Sequence, residues 1–291
     1  MIVLHILSFS ISAFLTYLYI KFMRKVKLGQ YIREEGPDLH NYKTGTPTAG
    51  GIIFVSIAVI FGIIYNIPFS LILSLILFGF IGFLDDISSI LKKQALGLRA
   101  YQKLFLQIIF SILIISYSTN STIFGLNVSK ITYYAFWIFT ITGASNAVNL
   151  TDGIDGLAGW VWITSIIPLS IYAKDFSTVF LISTVLAFLL FNTRPAKIFM
   201  GDTGSLSLGA FIATFAMLHG LEKELIFSSS IFIIETISVI LQVTSFKIFK
   251  KRIFKMSPIH HHFELLGWKE EKIVGVFSAI NLIIALTVLG W

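Results

Sequence analysis

Asn146-Ala-Val-Asn-Leu-Thr-Asp-Gly-Ile-Asp-Gly-Leu-Ala-Gly159 sets the carboxylates Asp152 and Asp155, and the amides Asn146 and Asn149, between long apolar runs. An ionisable pair at the edge of a bilayer is costly to keep, so it reads as a functional site by default. Gly153, Gly156 and Gly159 interrupt the segment and permit unusual backbone angles and close approach to a ligand. If the segment is helical, residues three apart share a face. Asp152 and Asp155 could then address one object, as could Asn149 and Asp152. The plainer reading is a loop between two helices, its Asn and Asp side chains satisfying backbone donors.

The flanking runs decide the fold class. Of 291 residues, 56% are hydrophobic and 13% charged, and the mean hydropathy is +0.86. A soluble protein of this length carries far more surface charge. The chain therefore reads as an all-α polytopic membrane protein, a single transmembrane catalytic domain spanning 1–291. About ten transmembrane helices are expected, at 1–23, 49–65, 68–84, 104–118, 132–147, 156–173, 176–192, 204–219, 225–246 and 273–291. Several are short for a full crossing. The first lacks a basic leader and a small-residue cleavage site, and Arg24 and Lys25 follow it directly. It reads as a retained span with its N-terminus outside. With no cysteine, disulfides and thiolate metal sites are excluded.

Charge placement gives the orientation. When alternate loops are set inside, starting with 24–48, only Lys130, Lys174 and Lys223 of the 22 Lys and Arg fall outside. This positive-inside pattern places both termini outside. It also accounts for the net charge of +7 without nucleic acid. Lys247, Lys250, Lys251, Arg252 and Lys255 then anchor topology and meet anionic membrane lipid. Among the 15 acidic residues, all but Asp175, Glu222, Glu224 and Glu235 share the inner loops. The active site is thus expected at the cytoplasmic face.

Each inner loop carries its own chemistry. The first ends in Lys43-Thr44-Gly45-Thr46-Pro47-Thr48-Ala49-Gly50-Gly51, a tight helix entry that Thr48 can cap, with Lys43 as a fixed cation. Asp85-Asp86 closes the third span. Adjacent helical residues point about 100° apart, so one carboxylate could face the site while the other caps or hydrogen-bonds nearby. An adjacent pair could equally raise one pKa toward that of a general base. Lys103 opens the fourth span. Gly201-Asp202-Thr203-Gly204-Ser205 joins a hard oxygen ligand to hydroxyls and glycines before a helix, an environment suited to phosphate and Mg²⁺. Pro258-Ile259-His260-His261-His262-Phe263-Glu264 favours anion and sugar recognition. Zinc is the alternative, although adjacent imidazoles seldom converge on one metal. Glu235 and Gln242 lie on one face of the ninth span and should point into the bundle.

These motifs, in this order from about Lys43 to Trp268, resemble those of the polyprenyl-phosphate N-acetylhexosamine-1-phosphate transferases. The three-His stretch favours the muramoyl-pentapeptide branch over enzymes using UDP-GlcNAc. The resemblance implies transfer of phospho-MurNAc-pentapeptide from UDP-MurNAc-pentapeptide to undecaprenyl phosphate, with release of UMP, in the bacterial inner membrane. It implies Mg²⁺ and a homodimer. Carried over by position, Asp202 would be the metal ligand, and Asp85 the base or activating residue with Asp86 beside it. Asn149, Asp152 and Asp155 would line the nucleotide and pyrophosphate site, and Lys103 would be a basic active-site residue. Lys43, Thr48, Asn192 and Phe199 would lie near the nucleotide, and Gln242 near the substrate. His260, His261 and His262 would act on the sugar-phosphate side. Ala49 stands where Met is usual in the family, and Ile154 where Leu is common. Ser89 replaces a basic residue often found just after the double aspartate, with Lys92 and Lys93 slightly further on.

Overall fold

The structure is a computed structural model that describes residues 2–26, 45–92 and 97–288. Lys43 and Lys93 lie outside the described residues. The described chain is mostly helical. Its elements are α1 (Ile2–Lys25), α2 (Gly51–Ile64), α3 (Phe69–Lys92), α4 (Ala100–Ile115), α5 (Lys130–Thr151), α6 (Leu157–Ala173), α7 (Val179–Asn192), α8 (Gly201–His219), α9 (Glu222–Ser228), α10 (Ser230–Phe249), α11 (Ile259–Glu264) and α12 (Glu270–Val288). A hairpin of β1 (Thr122–Ile123) and β2 (Leu126–Asn127) lies between α4 and α5 and is the one departure from an all-helical arrangement among the described residues.

Helix is what long apolar runs adopt where water cannot satisfy the backbone, because every N–H then finds its carbonyl within the segment. Val3–Lys25, Phe69–Lys92 and Ser230–Phe249 are long and apolar enough to cross a membrane. Shorter apolar helices, α2, α4, α6 and α7, stand among them. Phe14, Ile63, Phe105 and Ile248 project from the outside of this bundle, an apolar exterior that suits lipid and not water.

Helix α8 forms the axis. Every residue from Thr203 to Met217 is buried. Its neighbours approach so closely that glycine is required at the contacts. A Cβ on Gly82 of α3 would stand 2.2 Å from the Asp202 carbonyl oxygen, and one on Gly209 would stand 2.4 Å from the Ala144 carbonyl of α5. Small residues at a crossing let backbones touch, the usual means of helix association in lipid. The N-terminus of α8 is thereby fixed between α3 and α5.

Four expectations change. The ninth apolar run, expected as one helix over 225–246, breaks at Ser229 into α9 and α10. Asn281 of α12 supports the break: its amide donates to the Ser228 carbonyl at 2.8 Å and its oxygen accepts from Ile231 N–H at 3.2 Å. Helix α3 runs on to Lys92, about two turns beyond the expected end of the span, so Asp85 and Asp86 are not at its C-terminus. Thr48 does not cap α2. That helix starts at Gly51 with no side-chain cap; instead, the Gly50 and Gly51 N–H groups donate to the Phe199 and Met200 carbonyls at 2.9 and 2.8 Å. Finally, helix does not continue through the opening motif. Helix α5 ends at Thr151, with Asp152 as its C-cap, and α6 begins only after Gly156 at φ +82°. Asp152 and Asp155 therefore do not share a helical face.

Candidate active site

Five segments distant in sequence meet at the N-terminus of α8, and the double aspartate supplies the join. Asp86 turns inward and is buried. It accepts hydrogen bonds from the Asp202 and Thr203 N–H groups at 2.9 and 3.0 Å, and from the Thr203 hydroxyl at 2.6 Å. It caps α8 from a neighbouring helix, answering donors that no residue of α8 can reach and complementing the positive end of the dipole. Gly201 makes room for it: the residue sits at φ +68°, and a Cβ there would lie 2.6 Å from an Asp86 oxygen. Only glycine takes that conformation and that contact without strain.

Asp85, rotated about 100° along α3, faces the other way. One of its oxygens accepts from Leu98 N–H at 2.7 Å and lies 2.9 Å from Lys103 Nζ. The same ammonium donates to Asp202 at 2.5 Å. The second Asp202 oxygen accepts from the Asn149 amide at 2.8 Å, and that amide also donates to Ser205 Oγ at 2.9 Å. Asp85, Lys103, Asp202, Asn149 and Ser205 thus form one connected polar cluster, with Asp202 and Lys103 each about one-fifth exposed. Two carboxylates gathered on one ammonium leave net negative charge in a partly desolvated place, where electrostatic interactions gain strength.

The three-His stretch folds as α11 and closes over the end of α5. A Cβ at Gly153 would stand 2.3 Å from His260 Nε2 and 3.3 Å from His261 Nε2, so these two imidazoles press on the turn that carries Asp152, which is half-buried. The three rings have three different partners. His260 Nδ1 lies 3.1 Å from Glu235, His261 Nδ1 lies 2.6 Å from Glu264, and His262 Nδ1 accepts from Lys255 N–H at 3.1 Å. They do not converge on a common point, as a zinc site requires.

Other predicted site residues serve the loops around this cluster. Asp155 is buried and accepts from Ala196 N–H at 2.9 Å, while its own N–H donates to Glu270 at 3.1 Å. Asn192 donates to the Ile198 carbonyl at 2.9 Å within the same loop. Phe199 is half-buried, and its N–H donates to the Pro47 carbonyl at 2.8 Å. Thr48 is buried beside it, with its carbonyl accepting from Tyr19 at 3.2 Å. Gln242 holds the loop before α11, donating to the Phe254 carbonyl and accepting from the Ile253 and Phe254 N–H groups at 2.9–3.0 Å. Ser205 belongs to the 201–205 motif already singled out in the sequence, and one participant is newly seen. Glu270, which also pairs with Arg194, carried no local signal.

The donor set fits Mg²⁺. Asp85 and Asp202 already surround a cation, the Lys103 ammonium, with hard oxygens. Mg²⁺ takes one or two such carboxylates and completes its shell with water and phosphate oxygens.

Residues 68–220 match the family described as glycosyl transferase family 4, and the chain belongs to that family. Within it, the chain is 60% identical over 276 residues to the phospho-N-acetylmuramoyl-pentapeptide-transferase of Fervidobacterium nodosum, covering 92% of this chain and 90% of that one. It is 50% identical over 291 residues to the enzyme of that name from Thermotoga maritima, covering 97% and 96%. With the counterpart from Clostridium beijerinckii it shares 46% identity over 307 residues, covering 97% and 93%.

Proposed function

We propose that the protein transfers phospho-MurNAc-pentapeptide from UDP-MurNAc-pentapeptide to undecaprenyl phosphate, forming lipid I and UMP in peptidoglycan synthesis. The names of its relatives support this reading. The single structural observation that carries it is the cluster in which Asp85, Lys103 and Asn149 converge on Asp202 at a helix N-terminus. A fixed ammonium and carboxylates suited to a divalent cation are what a reaction between two phosphate-bearing reactants needs.

An oxygen of the lipid phosphate attacks the sugar-linked phosphorus, and the bond to the UMP oxygen breaks, with that oxygen keeping the electron pair. The lipid phosphate is already largely ionised near neutral pH, so no strong base is needed. Lys103 offsets charge on the reacting phosphates and holds Asp85 and Asp202 in register. Asn149 fixes the second Asp202 oxygen. Asp202, with Asp85 adjacent, would hold Mg²⁺, which when bound neutralises phosphate charge and polarises the phosphoryl oxygens. Asp152 lines the pyrophosphate site beside His260 and His261. Asp86 supports the N-terminus of α8, on which Asp202 is carried.

The reading extends to the membrane. Ten spans place both termini outside and the five polar loops at the cytoplasmic face of the bacterial inner membrane, where a soluble UDP-sugar meets a prenyl chain lying between helices. The protein works as a homodimer. UMP release by purified protein with undecaprenyl phosphate and Mg²⁺ tests the reaction, with UDP-MurNAc-pentapeptide and UDP-GlcNAc compared side by side. Release with the pentapeptide substrate alone is expected. Release with UDP-GlcNAc instead would overturn the branch, and no release with either from folded protein would overturn the reaction.

A further inference from the structure

The transfer chemistry leaves Glu235 of α10 without a role. Its side chain has no exposed surface, and a buried carboxylate is costly unless a partner meets it. The partner is His260, equally unexposed. Glu235 Oε2 lies 3.1 Å from His260 Nδ1 and accepts from the His260 backbone N–H at 3.4 Å. One carboxylate oxygen thus accepts from the main chain and stands within ion-pair reach of the ring at the start of a six-residue helix. Both ring nitrogens are buried without an aligned hydrogen bond among the described residues; Nδ1 has the Glu235 carboxylate within ion-pair reach, and Nε2 has no such group. It is aimed at Gly153, 2.3 Å from where a Cβ would stand. A carboxylate beside one imidazole nitrogen selects the tautomer protonated there and fixes the ring plane, which leaves the other nitrogen with its lone pair.

We propose that Glu235 is a positioning residue for the transfer reaction. It holds His260 with Nδ1 toward α10 and Nε2 against the Asp152–Gly153 turn, and so sets where Asp152 stands. The chain of contact runs from the bundle interior through one imidazole to the pyrophosphate site. This inference rests on the proposed transfer function, in which Asp152 lines that site. It also separates the three histidines: His260 is a buried support, while the partly exposed His261 is the one on the substrate side.

The test compares UMP release by the full-length wild type with that of Glu235→Gln, Glu235→Met, His260→Gln and the double variant Glu235→Met/His260→Gln. In parallel, ¹⁵N spectra of histidine-labelled protein in bilayers report tautomers, with the His260 signal assigned by its loss in His260→Gln. Glu235→Gln retains an acceptor for Nδ1–H and is expected to keep kcat within about fivefold. Glu235→Met has similar bulk without an acceptor and should lower kcat between about tenfold and a hundredfold, the range for removing an orienting partner from a histidine. The double variant should be no slower than His260→Gln, because the two residues act in series. His260 should show a single Nδ1–H tautomer in wild type and lose it in Glu235→Met. Wild-type kcat in Glu235→Met, additive losses in the double variant, or an unchanged His260 tautomer would each overturn the proposal. If Glu235→Met fails to fold, Glu235→Gln decides: a rate as low as that of His260→Gln overturns it. If the wild type releases no UMP, the transfer reading has failed, and the ¹⁵N comparison alone judges the Glu235–His260 arrangement.

Discussion

Asp86→Asn separates holding the site from performing the reaction. The carboxylate accepts two backbone N–H groups and one hydroxyl, at 2.9, 3.0 and 2.6 Å, while buried beneath α8. Asparagine keeps the shape but turns one acceptor oxygen into an NH₂ group, which faces donors it cannot satisfy. At least one hydrogen bond to a charged group is lost, worth about 1.5–3 kcal/mol, and a buried N–H is left unpaired at about 1–3 kcal/mol. Because these two effects overlap, about 2–4 kcal/mol of stability should go. For a chain of this size that corresponds to a fall in melting temperature of about 3–7 °C. Turnover should fall with it, since Asp202 is carried on the turn that Asp86 caps. Thermal unfolding in detergent and UMP release on the same preparation make the measurement. An unchanged melting temperature with turnover abolished would place Asp86 in the chemistry and refute the capping argument; unchanged values for both would refute any role at this position.

Asp202→Asn and Asp152→Asn should each lower turnover at least about a hundredfold, the usual cost of losing a charge-stabilising group, while melting within a few degrees of wild type; near-normal UMP release by either would remove its assigned role. Gly153→Ala places a methyl 2.3 Å from His260 Nε2, so the Asp152 turn or α11 must shift, and turnover should drop at least about tenfold, as misplacement of reacting groups predicts. A wild-type rate in that variant would show that the histidines do not press on the turn. Chelation of divalent cations should abolish UMP release, and added Mg²⁺ should restore it; full activity after exhaustive chelation would exclude the proposed metal.

Periodicity and charge made the helical class legible because both are local properties of the chain. Apolar runs declared themselves as helices one by one, and the motifs between them advertised polar chemistry without any knowledge of contacts. Boundaries were less legible. The ninth run looks continuous because Ser229 is unremarkable in sequence, and what holds the break open is Asn281, some fifty residues later. Thr48 looks like a cap, but the carbonyls that receive the Gly50 and Gly51 N–H groups come from Phe199 and Met200 on a different loop.

The sequence by itself determined which residues could carry charge among apolar helices, and hence that Asp85, Asp86, Asn149, Asp152, Lys103, Asp202 and the histidines were candidates. Only the tertiary structure divided them. Asp85 and Asp86 are chemically identical neighbours, yet a turn of about 100° between them sends one to Lys103 and the other beneath α8. Asp152 and Asp155 look equivalent three residues apart, until the chain leaves the helix at Thr151 and Asp155 goes to the loop at Ala196 instead. The same holds for His260, His261 and His262, whose separate partners lie on α10, on α11 and in the loop before it. Residue type fixes what a group can do; which partner stands within hydrogen-bond reach fixes what it does, and that depends on helices brought together from across the chain.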